Sequence, residues 1–371
     1  VPLPFHQFVL KLHSRCNLAC DHCYVYEMTD QRWRGRPRVM SPAVVTQAAR
    51  RMGEHARAHG LESVDVVLHG GEPLLAGADV IRHAVTAVRA QVPARFALQT
   101  NGTLLDQRFV DLFAELDVRV SVSVDGDAEA HDRHRVRPDG TGSFRDVRRG
   151  VELLRGQSIY GGLLCTVDLR NDPVATYEAL LACAPPAVDF LLPHGNWSSP
   201  PPGRSAGDDR TPYGDWLVAV FDRWFGAPRR ETGVRVLEEL INVLLGGSSR
   251  VEGIGLSPAL MVVVETDGSI EQSDILASAF EGAAATGLHV GTASFDDVLA
   301  LPEIVTRQSG VAGLCAACRS CALHAVCGGG LRAHRYRAGA GFDHPSVYCP
   351  DLMRLIRHVR ARLARDLAEV S

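Results

Sequence analysis

The chain reads as an α/β protein: a parallel sheet or partial barrel of six strand–helix units, followed by a small cysteine-rich region. Three observations predict this. Apolar strand-like runs alternate with helix-like runs from residue 5 to about residue 193. Eight of the 10 cysteines fall in two groups, Cys16, Cys20 and Cys23 near the start and Cys315, Cys318, Cys321, Cys327 and Cys349 near the end. The 371 residues, 46% hydrophobic and 22% charged, have an ordinary globular composition.

The first strand is expected over residues 5–12, followed by a helix over 42–59 with Ser41 as its N-cap. Further strands are expected over 64–68, 96–100, 118–124, 160–167 and 188–192. Helices over 78–91, 106–116, 144–155 and 173–182 stand between them. Six such units fall short of a full eight-unit barrel. Residues 197–209, rich in Ser, Pro and Gly, read as a loop. Amphipathic helices are expected over 213–225 and 234–245, and a final helix over 351–370. Asp267-Gly268 is expected to turn a hairpin between 261–265 and 269–272. The expected division is a barrel over 1–197, a linker with bridging helices over 198–260, a cysteine-rich domain over 261–349 and a C-terminal helix over 350–371.

A net charge of −4 gives no electrostatic case for nucleic acid. No apolar run reaches the ~18 residues of a membrane span. Neither partner is expected. Residues 5–12 are too short for a signal peptide and contain His6, Gln7 and Lys11. Clustered thiols without an export signal point to metal in a reducing cytoplasm. Cys165 and Cys183 stand apart and read as buried structural thiols. Lys11 is the sole lysine and reads as a compositional preference for arginine.

Cys16-x3-Cys20-x2-Cys23 follows the first strand directly, where α/β barrels carry their active-site loops. The plain reading is a zinc site with His13 or His22 as fourth ligand. The sharper reading is a 4Fe–4S cluster held at three corners, with one iron open. In 118–125, four valines alternate with Arg119, Ser121, Ser123 and Asp125, so one strand face packs and the other turns polar towards a cavity. Gly70 and Gly71 allow close backbone approach to a ligand. Glu72 can accept from an ammonium, and Arg135 can hold a carboxylate bidentately. An ordinary turn and a surface ion pair are the plain readings of these residues.

The run Cys16-Asn17-Leu18-Ala19-Cys20-Asp21-His22-Cys23-Tyr24 resembles the signature of radical S-adenosylmethionine (SAM) enzymes. His69-Gly70-Gly71-Glu72-Pro73, Gln99-Thr100-Asn101-Gly102 and Ser123-Val124-Asp125-Gly126 resemble later motifs of that superfamily, in order and at successive strand ends. The resemblance implies a 4Fe–4S cluster on Cys16, Cys20 and Cys23, with SAM bound by His22, Gly70, Gly71, Glu72, Ser123, Arg135 and Leu192.

Cys318-x2-Cys321-x5-Cys327, with Cys349 downstream, resembles a SPASM domain, the auxiliary-cluster module of peptide-modifying radical SAM enzymes. It implies at least one auxiliary 4Fe–4S cluster on those four thiolates; a four-cysteine zinc site is the plain reading. The fold implied is a partial (β/α)6 TIM-like barrel followed by a small SPASM-type domain. Leu331 and Ser273 stand where the pattern often has further cysteines, which argues against a second auxiliary cluster. Cys315 is left over.

Several stretches are similar to FxsB-type maturases, which form three-residue cyclophanes in ribosomally made peptides. Among them are residues 190–195, 213–217, 265–272, 327–330, 334–337 and 345–349. That resemblance implies a precursor peptide with a leader as substrate and a flavodoxin or ferredoxin-like electron donor. It also implies a deoxyadenosyl radical that takes a Cβ hydrogen, a C–C bond to an aromatic side chain, and Asp274 as the base that restores aromaticity. No leader-recognition domain is expected ahead of Cys16. Arg332, Arg335 and Arg337 form a basic run that could meet acidic leader residues, with a solvated face as the plainer reading. Two alternatives are sulfatase-type maturation, which oxidises Cys or Ser to formylglycine, and a zinc-bound peptide-binding protein without redox chemistry.

Overall fold

The computed structural model describes residues 2–205, 207–249 and 251–370. Residues 206 and 250 of the expected linker, and 371 of the expected final helix, lie outside the described residues. The strands are β1 (Gln7–His13), β2 (Val64–Gly70), β3 (Ala94–Thr100), β4 (Val118–Ser123), β5 (Tyr160–Thr166), β6 (Ala187–Leu191), β7 (Gly233–Val234), β8 (Met261–Val264), β9 (Ser269–Glu271) and β10 (Ala285–His289). The first eight helices are α1 (Pro42–His59), α2 (Ala78–Arg89), α3 (Gln107–Glu115), α4 (Ala128–Asp132), α5 (Phe144–Leu154), α6 (Pro173–Leu181), α7 (Pro212–Phe225) and α8 (Arg235–Leu244). They are followed by α9 (Phe295–Leu299), α10 (Pro302–Gln308), α11 (Ala316–Arg319), α12 (His324–Cys327) and α13 (Cys349–Val370).

The chain forms two compact units, residues 1–164 with 259–308, and residues 165–258 with 309–371. In the first unit the sheet order is β10-β9-β8-β1-β2-β3-β4-β5. β1 to β5 run parallel, β8 joins β1 in parallel, and β9 and β10 continue antiparallel. Phe8, Leu10 and Leu12 of β1, and Val118, Val120 and Val122 of β4, are fully buried, as expected of strands covered by helices. α1 keeps its expected bounds because both ends are signalled locally. The Ser41 side chain accepts from the Val44 N–H, Pro42 opens the helix, and Gly60 closes it at φ 63°.

The units cut the chain differently from the expected division. The hairpin expected to open the cysteine-rich domain lies in the first unit, with β8 laid beside β1. The reason is burial: Val262, Val263 and Val264 are all sealed, so both faces of this strand need cover.

In the second unit, β6 pairs in parallel with β7. α7 and α13 pack together, and Asp351 fixes their contact. Its Oδ1 accepts the backbone N–H groups of Tyr213 and Gly214, both at 2.9 Å, which caps α7 from a neighbouring helix. Gly214 is needed there, since a Cβ would meet the Asp351 carbonyl oxygen at 2.6 Å.

Candidate active site and cysteine centres

Cys16, Cys20 and Cys23 are half-buried on the loop that leaves β1. The loop is pinned on both sides: the Ser14 N–H donates to the Arg38 carbonyl, and the Ala19 N–H to the Val136 carbonyl, each at 2.8 Å. Asn101 Nδ2 reaches Cys16 Sγ at 3.5 Å, and the Leu18 N–H reaches it at 3.4 Å. Burial, with Glu72 and the neighbouring thiols adding to it, pushes the Cys16 thiol up to about 12. Burial likewise pushes Cys20 to about 11. Three thiolates can therefore share this loop only when a metal centre offsets their charge. Three thiols on one short loop match three corners of a 4Fe–4S cluster.

The glycine motif does its work differently from expectation. A Cβ on Gly70 would meet the His13 carbonyl oxygen at 2.3 Å. One on Gly71 would meet Tyr26 Oη at 1.8 Å and the Arg15 backbone at 2.6 Å. The close approach at both glycines is by the cysteine loop. Glu72 also departs from expectation: it is 0% exposed, and its carboxylate is taken up by the fold itself. It accepts from Thr100 Oγ1 at 2.7 Å, the Asn101 N–H at 2.8 Å and the Leu74 N–H at 3.0 Å. It staples the loop after β2 to the end of β3. Burial raises its carboxyl to about 7.

Arg135, expected to hold a ligand carboxylate, forks onto Asp125 at 2.6 and 3.2 Å. Burial opposes the charge on Asp125, but Arg135 and His22 hold its carboxyl below the usual range. His22 Nε2 stands 3.9 Å from Asp125 Oδ2, and Ser123 Oγ accepts from Gln99 Nε2 at 3.0 Å. The structure thus brings Cys16, Cys20, Cys23, His22, Glu72, Ser123 and Arg135 to the strand ends of the first unit. Leu192 lies just past β6, in the second unit.

Asp274 opens a short 3-10 turn after β9. Its Oδ2 accepts from Lys11 Nζ at 2.5 Å and from Tyr24 Oη at 2.5 Å. Burial would raise this carboxyl; Lys11, His69 and Tyr24 outweigh it and hold the group far below the usual carboxylate range. Lys11 Nζ also meets His69 Nδ1 at 3.0 Å. Lys11, Gly70, Gly71, Arg36, Glu265 and Asp274 line a cavity that opens to solvent in the first unit. Lys11 and Tyr24 were missed as site residues. The available signal was a lone lysine inside an otherwise apolar strand.

The second unit gathers Cys318, Cys321, Cys327 and Cys349, and Cys315 is buried against Cys318. Burial pushes Cys349 to about 11, with Cys327, Cys321 and Cys315 adding to it. Gly328, Gly329 and Gly330 all have positive φ, at 60°, 79° and 68°. A Cβ on Gly328 would fall 1.6 Å from the Gly255 carbonyl oxygen, so only glycine fits. Arg335 spans this loop, donating from Nε to the Gly329 carbonyl and from Nη2 to the carbonyls of Gly328 and Gly330. Its guanidinium is therefore spent on the cysteine loop and is not offered to a leader. Four thiols beside a buried cation suit an anionic cluster.

Residues 10–178 match the model of the Radical SAM superfamily. The matched stretch is 169 of the 371 residues and contains the three-thiol loop and the parallel strands β2 to β5. The chain is 26% identical over 347 residues to the serine-type anaerobic sulfatase-maturating enzyme of Klebsiella aerogenes, covering 91% of this chain and 82% of that one. It is 23% identical over 279 residues to the cysteine-type enzyme of Clostridium novyi (strain NT), covering 70% and 71%. In fold it is similar to native anSMEcpe with bound AdoMet, with a TM-score of 0.83 at 20% identity over 98% of this chain and 100% of that chain. It is also similar to Streptococcus suis SuiB bound to the precursor peptide SuiA, with a TM-score of 0.60 at 14% identity over 94% and 76%.

Proposed function

We propose that this enzyme is a peptide maturase that oxidises a residue of a ribosomally made, leader-bearing precursor at its Cβ. The observation that carries this reading is Asp274, an ionised carboxylate on the cavity beside the cysteine loop. Once a Cβ hydrogen has gone, a product forms only when a proton also leaves, and a positioned carboxylate can take it. SAM bound at a reduced cluster supplies the deoxyadenosyl radical. In this reading Cys16, Cys20 and Cys23 hold that cluster. His22, Ser123 and the Asp125–Arg135 pair stand near SAM. Cys318, Cys321, Cys327 and Cys349 hold the auxiliary cluster that accepts the electron, and a flavodoxin or ferredoxin-like donor in the cytoplasm resupplies the first one.

The sulfatase-maturating relatives, matched over most of their length, favour formylglycine formation from Cys or Ser as the product-forming step. One observation favours the second reading, a C–C crosslink of the cyclophane type: Ser273 and Leu331 stand where further cluster cysteines are often found, so the chain departs there from the sulfatase-type pattern.

The test is anaerobic incubation with SAM, reductant and candidate peptides, followed by mass spectrometry and a hydrazide probe. Formylglycine from Ser and a crosslink both lose about 2 Da, by the arithmetic of two hydrogens. Only formylglycine is an aldehyde that takes the hydrazide. A product about 2 Da lighter, hydrazide-silent and resistant to fragmentation between the joined residues is the crosslink. SAM cleavage without any modified peptide would overturn the maturase reading.

A further inference from the structure

Lys11, the only lysine in the chain, lies in β1 at 4% exposure. It touches two groups that differ in what they can do with a proton. Its partner Asp274 accepts two hydrogen bonds on Oδ2, from Lys11 and Tyr24. Asp274 Oδ1 has no protein partner among the described residues, and Asp274 lines the cavity. Oδ1 is therefore the oxygen open to a substrate proton. The other contact is His69 Nδ1 at 3.0 Å. An ammonium can only donate, so Nδ1 presents its lone pair, and the neutral ring carries its proton on Nε2. His69 is partly exposed, and one of its ring nitrogens also meets the Gly70 backbone.

We propose that Lys11 and His69 form the proton outlet of Asp274, a path that rests on the reading of Asp274 as the base. Asp274 takes the substrate proton on Oδ1, and the negative charge that held the Lys11 ammonium is cancelled. Lys11 passes one proton to His69 Nδ1, and the imidazolium releases its Nε2 proton to solvent. The Lys11 amine then takes the carboxyl proton back. Carboxylate, ammonium and neutral imidazole are restored, and one proton has left the site. Burial and the Lys11 charge hold His69 low, at about 4, so a proton that reaches its ring is readily released. The charged or titratable groups facing the three are Tyr24 and Cys23 on the loop, Glu265 after β8, Glu271 in β9, and Arg36, which reaches Glu265 at 3.0 Å and Glu271 at 2.5 Å. Lys11 and His69 act through Asp274 and are positioning residues.

Two variants of the cluster-loaded enzyme test the path. Lys11→Arg keeps the cation beside Asp274 but cannot lose a proton near neutral pH. His69→Gln keeps a hydrogen-bond acceptor but cannot take a proton. Each should still move deuterium from a Cβ-labelled peptide into 5′-deoxyadenosine, while modified peptide forms on the order of 10-fold more slowly at neutral pH. The deficit in His69→Gln should shrink as pH rises and as imidazole is added; a merely structural loss would respond to neither. Parent-rate product from either variant overturns the path, as does a deficit insensitive to pH and imidazole. Asp274→Asn separates the two readings. If it forms product at the parent rate, the base reading falls. If it is slow while Lys11→Arg and His69→Gln are fast, only the outlet falls.

Discussion

Lys11 Nζ and Asp274 Oδ2 stand 2.5 Å apart although 263 residues separate them in sequence. The pair joins the strand that leads into the cysteine loop to the turn that follows β9. Because it is largely buried, removing one partner strands the other's charge. Asp274→Asn should cost about 3–5 kcal/mol near neutral pH, read as a lowered melting temperature. The same variant carries a pH signature. The folded carboxyl lies below the ordinary value of about 3.9, so its stabilisation is fully present above that value and is lost as pH falls through the folded one. The parent should therefore lose more stability than Asp274→Asn between about pH 5 and pH 3.

Replacing Cys16, Cys20 and Cys23 together with Ala should abolish 5′-deoxyadenosine formation. The thiols of the second unit remain, so iron should fall from about eight to about four per chain, one 4Fe–4S set. Undiminished SAM cleavage in the triple variant would remove these thiols from the assignment.

Ser273 is 0% exposed, and its Oγ finds no hydrogen-bond partner among the described residues. A buried hydroxyl without a partner costs stability, so Ser273→Ala should raise unfolding free energy by about 1 kcal/mol in denaturant titration. A loss of similar size would show that Oγ is hydrogen-bonded in solution.

Arg335→Met removes the donor shared by three glycine carbonyls and the cation beside Cys318 and Cys327. Stability should fall by roughly 2–4 kcal/mol, and the auxiliary cluster's reduction potential should shift to more negative values. Redox titration followed by electron paramagnetic resonance checks the second effect.

What the sequence discloses depends on how far each signal reaches. The bounds of α1 are legible because Ser41, Pro42 and Gly60 act within a few residues. The cysteine loop is legible because its chemistry lies in the spacing. The partnership of β8 with β1 is not, since periodicity reports a strand's faces and not its neighbour. Glu72 shows the same limit. Its place in the motif suggests a ligand contact; that its carboxylate also accepts from Leu74, Thr100 and Asn101 is visible only once the folded chain brings them together. Lys11 is legible only as a lone lysine in β1, since its partner Asp274 lies 263 residues away and the fold alone joins them.

The surface of this protein offers no lysine amine, because the single lysine is buried and every other basic chain at neutral pH is arginine or histidine. Acetylation, ubiquitin-like tagging and active-ester labels find no lysine on the folded molecule. Acylation of Lys11 therefore requires the contact with Asp274 to open first. Its rate, followed by mass, reports how often β1 and the turn after β9 part, with no added probe.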